Sequence, residues 1–223
     1  MIQERTCSAT SWATRSFATI SARWARSSGP YFSELCGDFL VLNEKWRGYL
    51  DLFGASPRRV DLLDRAASRF FGFLQPTLFD DIALHLVRLT AGPRSTGHSF
   101  LTVRQLPELI RDPALRASVE EDIEAATRRA DFAREWLDWR RESLGHRTLP
   151  LTLRDDTMRL ASRHEDVQEV LSALGRVLNG VHQHFLQSEL SFDVAGAPGD
   201  AMDLLHVLNI GVSARERARD VEG

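Results

Sequence analysis

Lysine is almost missing from this chain. Of its 28 basic residues only Lys45 is a lysine. Arginine-containing patterns will therefore arise often by chance, and need a structural context before they count. Cysteine is scarce as well. Cys7 and Cys36 are the only two, with no zinc-type spacing and no basis for a disulfide framework. That fits a reducing, cytoplasmic setting. No apolar run approaches the roughly 20 residues needed to span a bilayer, so no membrane partner is expected. A Gly-rich phosphate loop, G-x-S-x-G and H-E-x-x-H are all absent. Neither a cofactor nor a bound metal is expected.

What is present suits one folded domain with tails. The 223 residues are 43% hydrophobic, enough to bury a core. The net charge of -3 argues against a surface that binds nucleic acid indiscriminately, but leaves room for a local basic groove.

Residues 1–30 stand apart. They are rich in Ser, Thr, Ala and Arg, and Glu4 is their only acid. That composition imitates an organellar transit peptide but lacks the apolar centre of a secretory signal. A disordered extension, or a start codon placed too early, accounts for it more simply. Folding is expected to begin near Tyr31, with a helical bundle over 31–190 and a loop and C-terminal helix over 191–223.

Helical spacing dominates the rest. Leu35, Phe39, Leu42, Trp46, Tyr49, Leu50 and Phe53 predict a helix over 32–53, ended by Gly54. Ser56 and Pro57 read as an N-cap and a first-turn proline. They open a long run over 57–90, which Pro76 should kink or split. Residues 91–105 read as a loop. Leu106 to Arg111 suit a short turn of helix. Asp112-Pro113 starts a strong helix to about Leu144, with Leu115, Val119, Ile123, Ala126, Ala130, Ala133 and Leu137 on one stripe. Ser162 and Glu165 form a capping box before a helix over 163–187. Asp200 can cap a last helix. The expected fold is all-α: an antiparallel bundle of about five helices.

One stretch invites a chemical reading: WLDWRRESLGHRTLP, residues 136–150. Arg140 and Arg141 precede His146 with five and four residues between them. Arg159 precedes His164, and Arg176 precedes His182, at similar spacing, so three of seven histidines match. Context separates them. Arg159 and His164 straddle a helix start. Arg176 and His182 share one helix, about 120° apart in direction. Arg140 and Arg141 instead end a helix that Gly145 can stop, so His146 can fold back toward an arginine. A guanidinium can hold a phosphate in bidentate fashion. A histidine can move a proton to or from a ribose hydroxyl or leaving oxygen. RNA carries its own 2′-nucleophile, so no metal is strictly needed. The plain alternative is a charged helix end, with Arg140 and Arg141 paired to Glu135, Asp138 or Glu142.

Other candidates read more simply as structure. Asp81 and His85 lie four apart on a helix but lack further metal ligands in view. His182 and His184 point to different sides of a helix. Trp136 and Trp139 could stack on bases but suit a core or interface better.

Taken in order, LNEKWRGYLDLFG (42–54), LLDRAASRFFGFLQPTLFDDIALHLVRLT (62–90), LTVRQLPELI (101–110) and FAREWLDWRRESLGHRTLPL (132–151) resemble the AbiU-type HEPN family, which is associated with abortive infection of phage. The resemblance covers roughly residues 31–190. The family pattern is similar to W-R-N-x-x-x-A-H-R-D. Trp139, Arg140, His146 and Arg147 match it, which selects Arg140 over Arg141 as the motif arginine. Arg141 stands where Asn or Asp is usual, Gly145 replaces Ala, and Thr148 replaces an acid. Thr148 also stands where a related class carries a tyrosine that a partner enzyme modifies.

The resemblance implies a homodimer with two Arg–His pairs across a shared RNA cleft. It further implies metal-independent RNA cleavage by a toxin or phage-defence effector. An antitoxin protein is a further partner of that reading. On it Arg140 and His146 are the catalytic residues, and Arg141 and Arg147 are phosphate contacts. The replaced Asn position keeps an alternative open: a catalytically inactive scaffold that binds RNA or a protein.

Overall fold

The computed structural model describes residues 28–54, 56–95, 97–145, 163–192 and 199–222. The fold is all-α. Residues 1–27, and with them most of the expected N-terminal extension, lie outside the described residues.

Helix α1 spans Ser28–Tyr49 and runs on into a π-helical turn, Leu50–Gly54. It begins three residues before the expected start at Tyr31. Its inward side carries Phe32, Leu35, Phe39, Leu42, Trp46 and Tyr49, all buried. Ser56 then caps α2, Pro57–Thr90, its side chain accepting from the Arg58 N–H at 3.3 Å.

Helix α2 departs from expectation. It is neither split nor broken at Pro76. The non-helical backbone lies at Ala67 instead. A proline fits helical φ, but it removes its own donor and its ring crowds the carbonyl four residues back. The carbonyl that loses its partner is that of Gly72, an exposed position. Burial of Phe71, Phe79, Ile82, Leu86 and Leu89 on both sides of Pro76 holds the helix together.

The expected loop over 91–105 contains a minimal hairpin. Arg94–Ser95 (β1) pairs antiparallel with His98–Ser99 (β2). Gly97, at φ 83°, supplies the left-handed turn residue that the sharp reversal requires. Tyr31 ties the segment down. Its hydroxyl accepts from the Thr102 N–H at 2.8 Å. A 3-10 turn, Val103–Gln105, then leads into the four-residue α3, Leu106–Leu109.

The single helix expected from 113 to about 144 is two. Asp112 caps α4, Pro113–Arg129, accepting from the Leu115 N–H at 2.8 Å. Helix α5 follows over Asp131–Gly145. Between them the Ala130 N–H faces the carbonyls of Ala126, Thr127 and Arg128 together, so α4 tightens before α5 begins. Six long helices are thus found among the described residues, in keeping with the expected all-α bundle of about five. Helix α6 spans His164–Leu186, with Arg163 at the cap and no side-chain capping bond. Ser162, expected to cap it, lies outside the described residues. Asp200 caps α7, Ala201–Glu222, accepting from the Met202 N–H at 2.8 Å.

Two apolar clusters result. The larger joins α1, the second half of α2, α4, α5 and α6. Helix α4 packs on α6, and α5 on α2. Cys36 is buried in this core, and burial pushes its thiol pKa up, away from reactivity. The smaller cluster seats Leu205 and Val212 of α7 on Leu52, Leu62, Leu63 and Phe71. Among the described residues no helix is long and apolar enough to cross a membrane.

Candidate functional site

The last two turns of α5 lie against the middle of α2. Trp136 and Trp139 are inward residues of α5, exposed by only 5% and 8%, so neither offers a face to a base. Phe79 of α2 meets Trp136 edge-on at 5.0 Å, and the two tryptophans contact at 4.9 Å. This packing fixes the rotation of α5, and so the direction of Arg140, one residue beyond Trp139.

Arg140 reaches back to α2. Its Nε donates to both carboxylate oxygens of Asp80 at 2.9 Å, and Nη2 donates to Oδ2 at 2.8 Å. Trp136 Nε1 donates to Oδ1 of the same carboxylate at 2.8 Å. The guanidinium also lies 6.0 Å from the Trp139 ring centroid. Side-chain exposure is 17% for Arg140 and 26% for Asp80, so solvent screens the pair only partly. The result is an oriented cation at the rim of the core.

The sequence offered Glu135, Asp138 and Glu142 as partners for these arginines. Arg140 takes Asp80 instead. Arg141 does pair with Asp138, at 3.3 Å, and is 77% exposed. Adjacent helical residues point about 100° apart, so the two arginines serve different environments. His146 and Arg147 lie outside the described residues.

The rival pairs do not form comparable sites. Arg176 is exposed, whereas His182 is buried and its Nδ1 donates to the Ser188 carbonyl at 2.7 Å. Arg159 lies outside the described residues. His164 sits edge-on to Trp46 and Tyr49, at 5.7 and 5.6 Å. Burial lowers its pKa and favours the neutral ring. Asp81 and His85 do not converge. Asp81 pairs with Lys45 at 2.6 Å, and His85 Nε2 donates to Asp38 at 3.1 Å. Arg88 holds the other Asp38 oxygen. Burial alone would raise the Asp38 pKa, but the hydrogen bonds and charges of His85 and Arg88 outweigh it and hold the carboxyl below its usual range.

Asp80 is the residue that sequence reasoning missed. It lies 60 positions from Arg140, and the more regular Asp81–His85 spacing drew attention away from it. One signal was available. Trp136 and Arg140 stand four apart, on one face of α5, and both carry N–H donors that need an acceptor when buried.

An open groove of about 470 Å³ runs between α4 and α6, lined by Arg129, Glu165, Gln168, Glu169, Ser172 and Arg176. Its two arginines are balanced by two glutamates, so it has no strong pull on a polyanion.

No curated protein and no solved structure matches the chain. A protein-family model does, over residues 29–204: HEPN_AbiU2, described as AbiU2. The matched span contains all but the first residue of α1, then α2 to α6 with both Asp80 and Arg140, and the first residues of α7. The chain belongs to the AbiU2 family of HEPN proteins.

Proposed function

We propose that this protein is a metal-independent RNA endonuclease acting as a toxin or phage-defence effector, with Arg140 and His146 as its catalytic pair. The observation that carries the reading is the Asp80–Arg140–Trp136 constellation. A long arginine side chain loses much rotamer freedom when it is fixed. Here a carboxylate and an indole hold it on one rigid element, six residues before His146 in sequence. Preorganised cations are what phosphoryl transfer requires, because its transition state spreads charge over phosphate oxygens. Arg140 then binds and polarises the scissile phosphate. His146 takes the proton from the 2′-hydroxyl or gives one to the leaving oxygen. Arg141, exposed near the end of the same helix, and Arg147 add phosphate contacts. A homodimer brings two such sites to one cleft, and a neutralising antitoxin is the partner such a toxin needs.

A second reading rests on the same carboxylate. Asp80 neutralises much of the Arg140 charge, as it would in a purely structural salt bridge. The chain would then be an inactive scaffold that binds RNA or a protein.

The test uses labelled RNA incubated in EDTA with wild-type protein and with Arg140→Ala and His146→Ala variants. The nuclease reading expects cleavage by wild type alone, leaving 2′,3′-cyclic phosphate ends. Equal cleavage by His146→Ala sinks it. Absence of cleavage across several RNA classes, with RNA still bound, supports the scaffold.

A further inference from the structure

Phe70 and Phe73 of α2 are 47% and 58% exposed; Phe70 rests on the edge of the smaller apolar cluster through Phe71, and Phe73 belongs to neither cluster. Their ring centroids are 5.1 Å apart at 77°, and Phe70 is braced from below by the buried Phe71 at 5.3 Å. Two solvent-facing rings held in place are costly in water, and invite a ligand with apolar faces.

Their position says which ligand. Seven helical residues make close to two turns, so Phe73 and Asp80 share one side of α2, about 10 Å apart along the axis. Four residues before Phe73 stands Arg69, exposed and in no salt bridge among the described residues. One turn after Phe73 stands the exposed Thr77. The stripe therefore reads Arg69, Phe73, Thr77, then Asp80 with Arg140. A cation, an aromatic face, a hydroxyl that donates to the Phe73 carbonyl, and the Asp80–Arg140 ion pair, whose arginine reaches across from α5, follow one another along this side of α2 beyond Ala67. Backbone charges and base faces alternate in the same way in a single strand of RNA, and stacking on aromatic side chains is how such strands are held without base pairing. A duplex hides its base faces and could not use the rings.

We propose that Phe73, supported by Phe70 and Arg69, is a base-stacking platform that leads single-stranded RNA toward Arg140. The role given to Arg140 rests on the nuclease reading above. The stacking does not.

The experiment is fluorescence anisotropy with labelled single-stranded oligoadenylate and a duplex RNA of equal length. It uses full-length His146→Ala protein, so that binding is read without cleavage. Variants are Phe73→Ala, Phe73→Leu, Phe73→Trp and Arg69→Ala, each checked for helicity by circular dichroism. Exposed side chains can be exchanged here without opening the core. The platform predicts single-strand binding tighter than duplex binding. It also predicts a loss of about tenfold or more in Phe73→Ala, a similar loss in Phe73→Leu, and retention in Phe73→Trp. Unchanged affinity in Phe73→Ala overturns the proposal. So does full retention in Phe73→Leu, or equal binding of duplex, or no RNA binding at all. Loss of a dimer in Phe73→Ala, seen by sedimentation with RNA affinity unchanged, also overturns it and makes the patch a contact between copies.

Binding through Phe73 without cleavage by the wild type leaves the platform standing and removes the nuclease. Cleavage that ignores Phe73 does the reverse.

Discussion

At the scale of single residues, Arg140 and Arg141 are neighbours with opposite standing. Arg140 and Asp80 are largely withdrawn from water, and Trp136 shares the carboxylate. Removing that carboxylate leaves a half-buried cation and an indole donor without it. Asp80→Ala is therefore expected to cost about 2–3 kcal/mol of stability. Arg141 and Asp138 are 77% and 68% exposed, and a surface pair of this kind contributes little. Arg141→Ala is expected to cost less than about 0.5 kcal/mol. Urea unfolding of the two variants checks both values. Equal small effects would mean that Asp80 does not anchor Arg140. The sequence made this contrast only half legible. A pair three residues apart can be read from helical spacing, and Asp138 was among the three acids offered to Arg140 and Arg141. A pair separated by 60 positions depends on how α5 docks against α2, which no local pattern encodes.

At the scale of elements, the chain is most legible where the signals are local. The side chains of Ser56, Asp112 and Asp200 cap α2, α4 and α7, because a cap needs only an oxygen and N–H groups two or three residues away. The break at Ala130 was harder. It has neither Gly nor Pro, and the apolar stripe runs straight across it. Only the charges mark it: Arg128 and Arg129 close α4, and Asp131 opens α5, in the order that helix dipoles favour. Pro76 misled in the other direction, because packing on both sides keeps α2 unbroken at that position, and its interruption falls at Ala67. The proline still forfeits one hydrogen bond. Pro76→Ala restores a donor to the Gly72 carbonyl, at some loss of unfolded-state restriction. A net gain of about 1–2 kcal/mol is expected. A higher urea midpoint checks it. A lower one would mean that the proline ring packs better than its missing donor costs.

At the scale of the whole molecule, the two apolar clusters divide the work. The larger holds the helices that present Asp80 and Arg140, and none of its residues comes from α7. The smaller depends on α7, through Leu205 and Val212. The family match ends at residue 204, so nearly all of α7 lies beyond it. The composition of the chain could signal a core, but not that it would be divided this way. That division has a consequence. Truncation after Asp200 should leave the larger cluster folded while exposing Leu52, Leu62, Leu63 and Phe71. Two well-buried aliphatic side chains are lost from the smaller cluster, and a loss of about 2–4 kcal/mol is expected. Helicity should fall by about the share of α7 alone. Trp46, Trp136 and Trp139 all belong to the larger cluster, so their fluorescence should still report a cooperative transition in urea. Collapse of that transition would show that α7 is needed by the site-bearing core itself. A retained transition, together with a new tendency to aggregate through the uncovered face of α2, would show that α7 is a cover laid over a fold that the other helices complete.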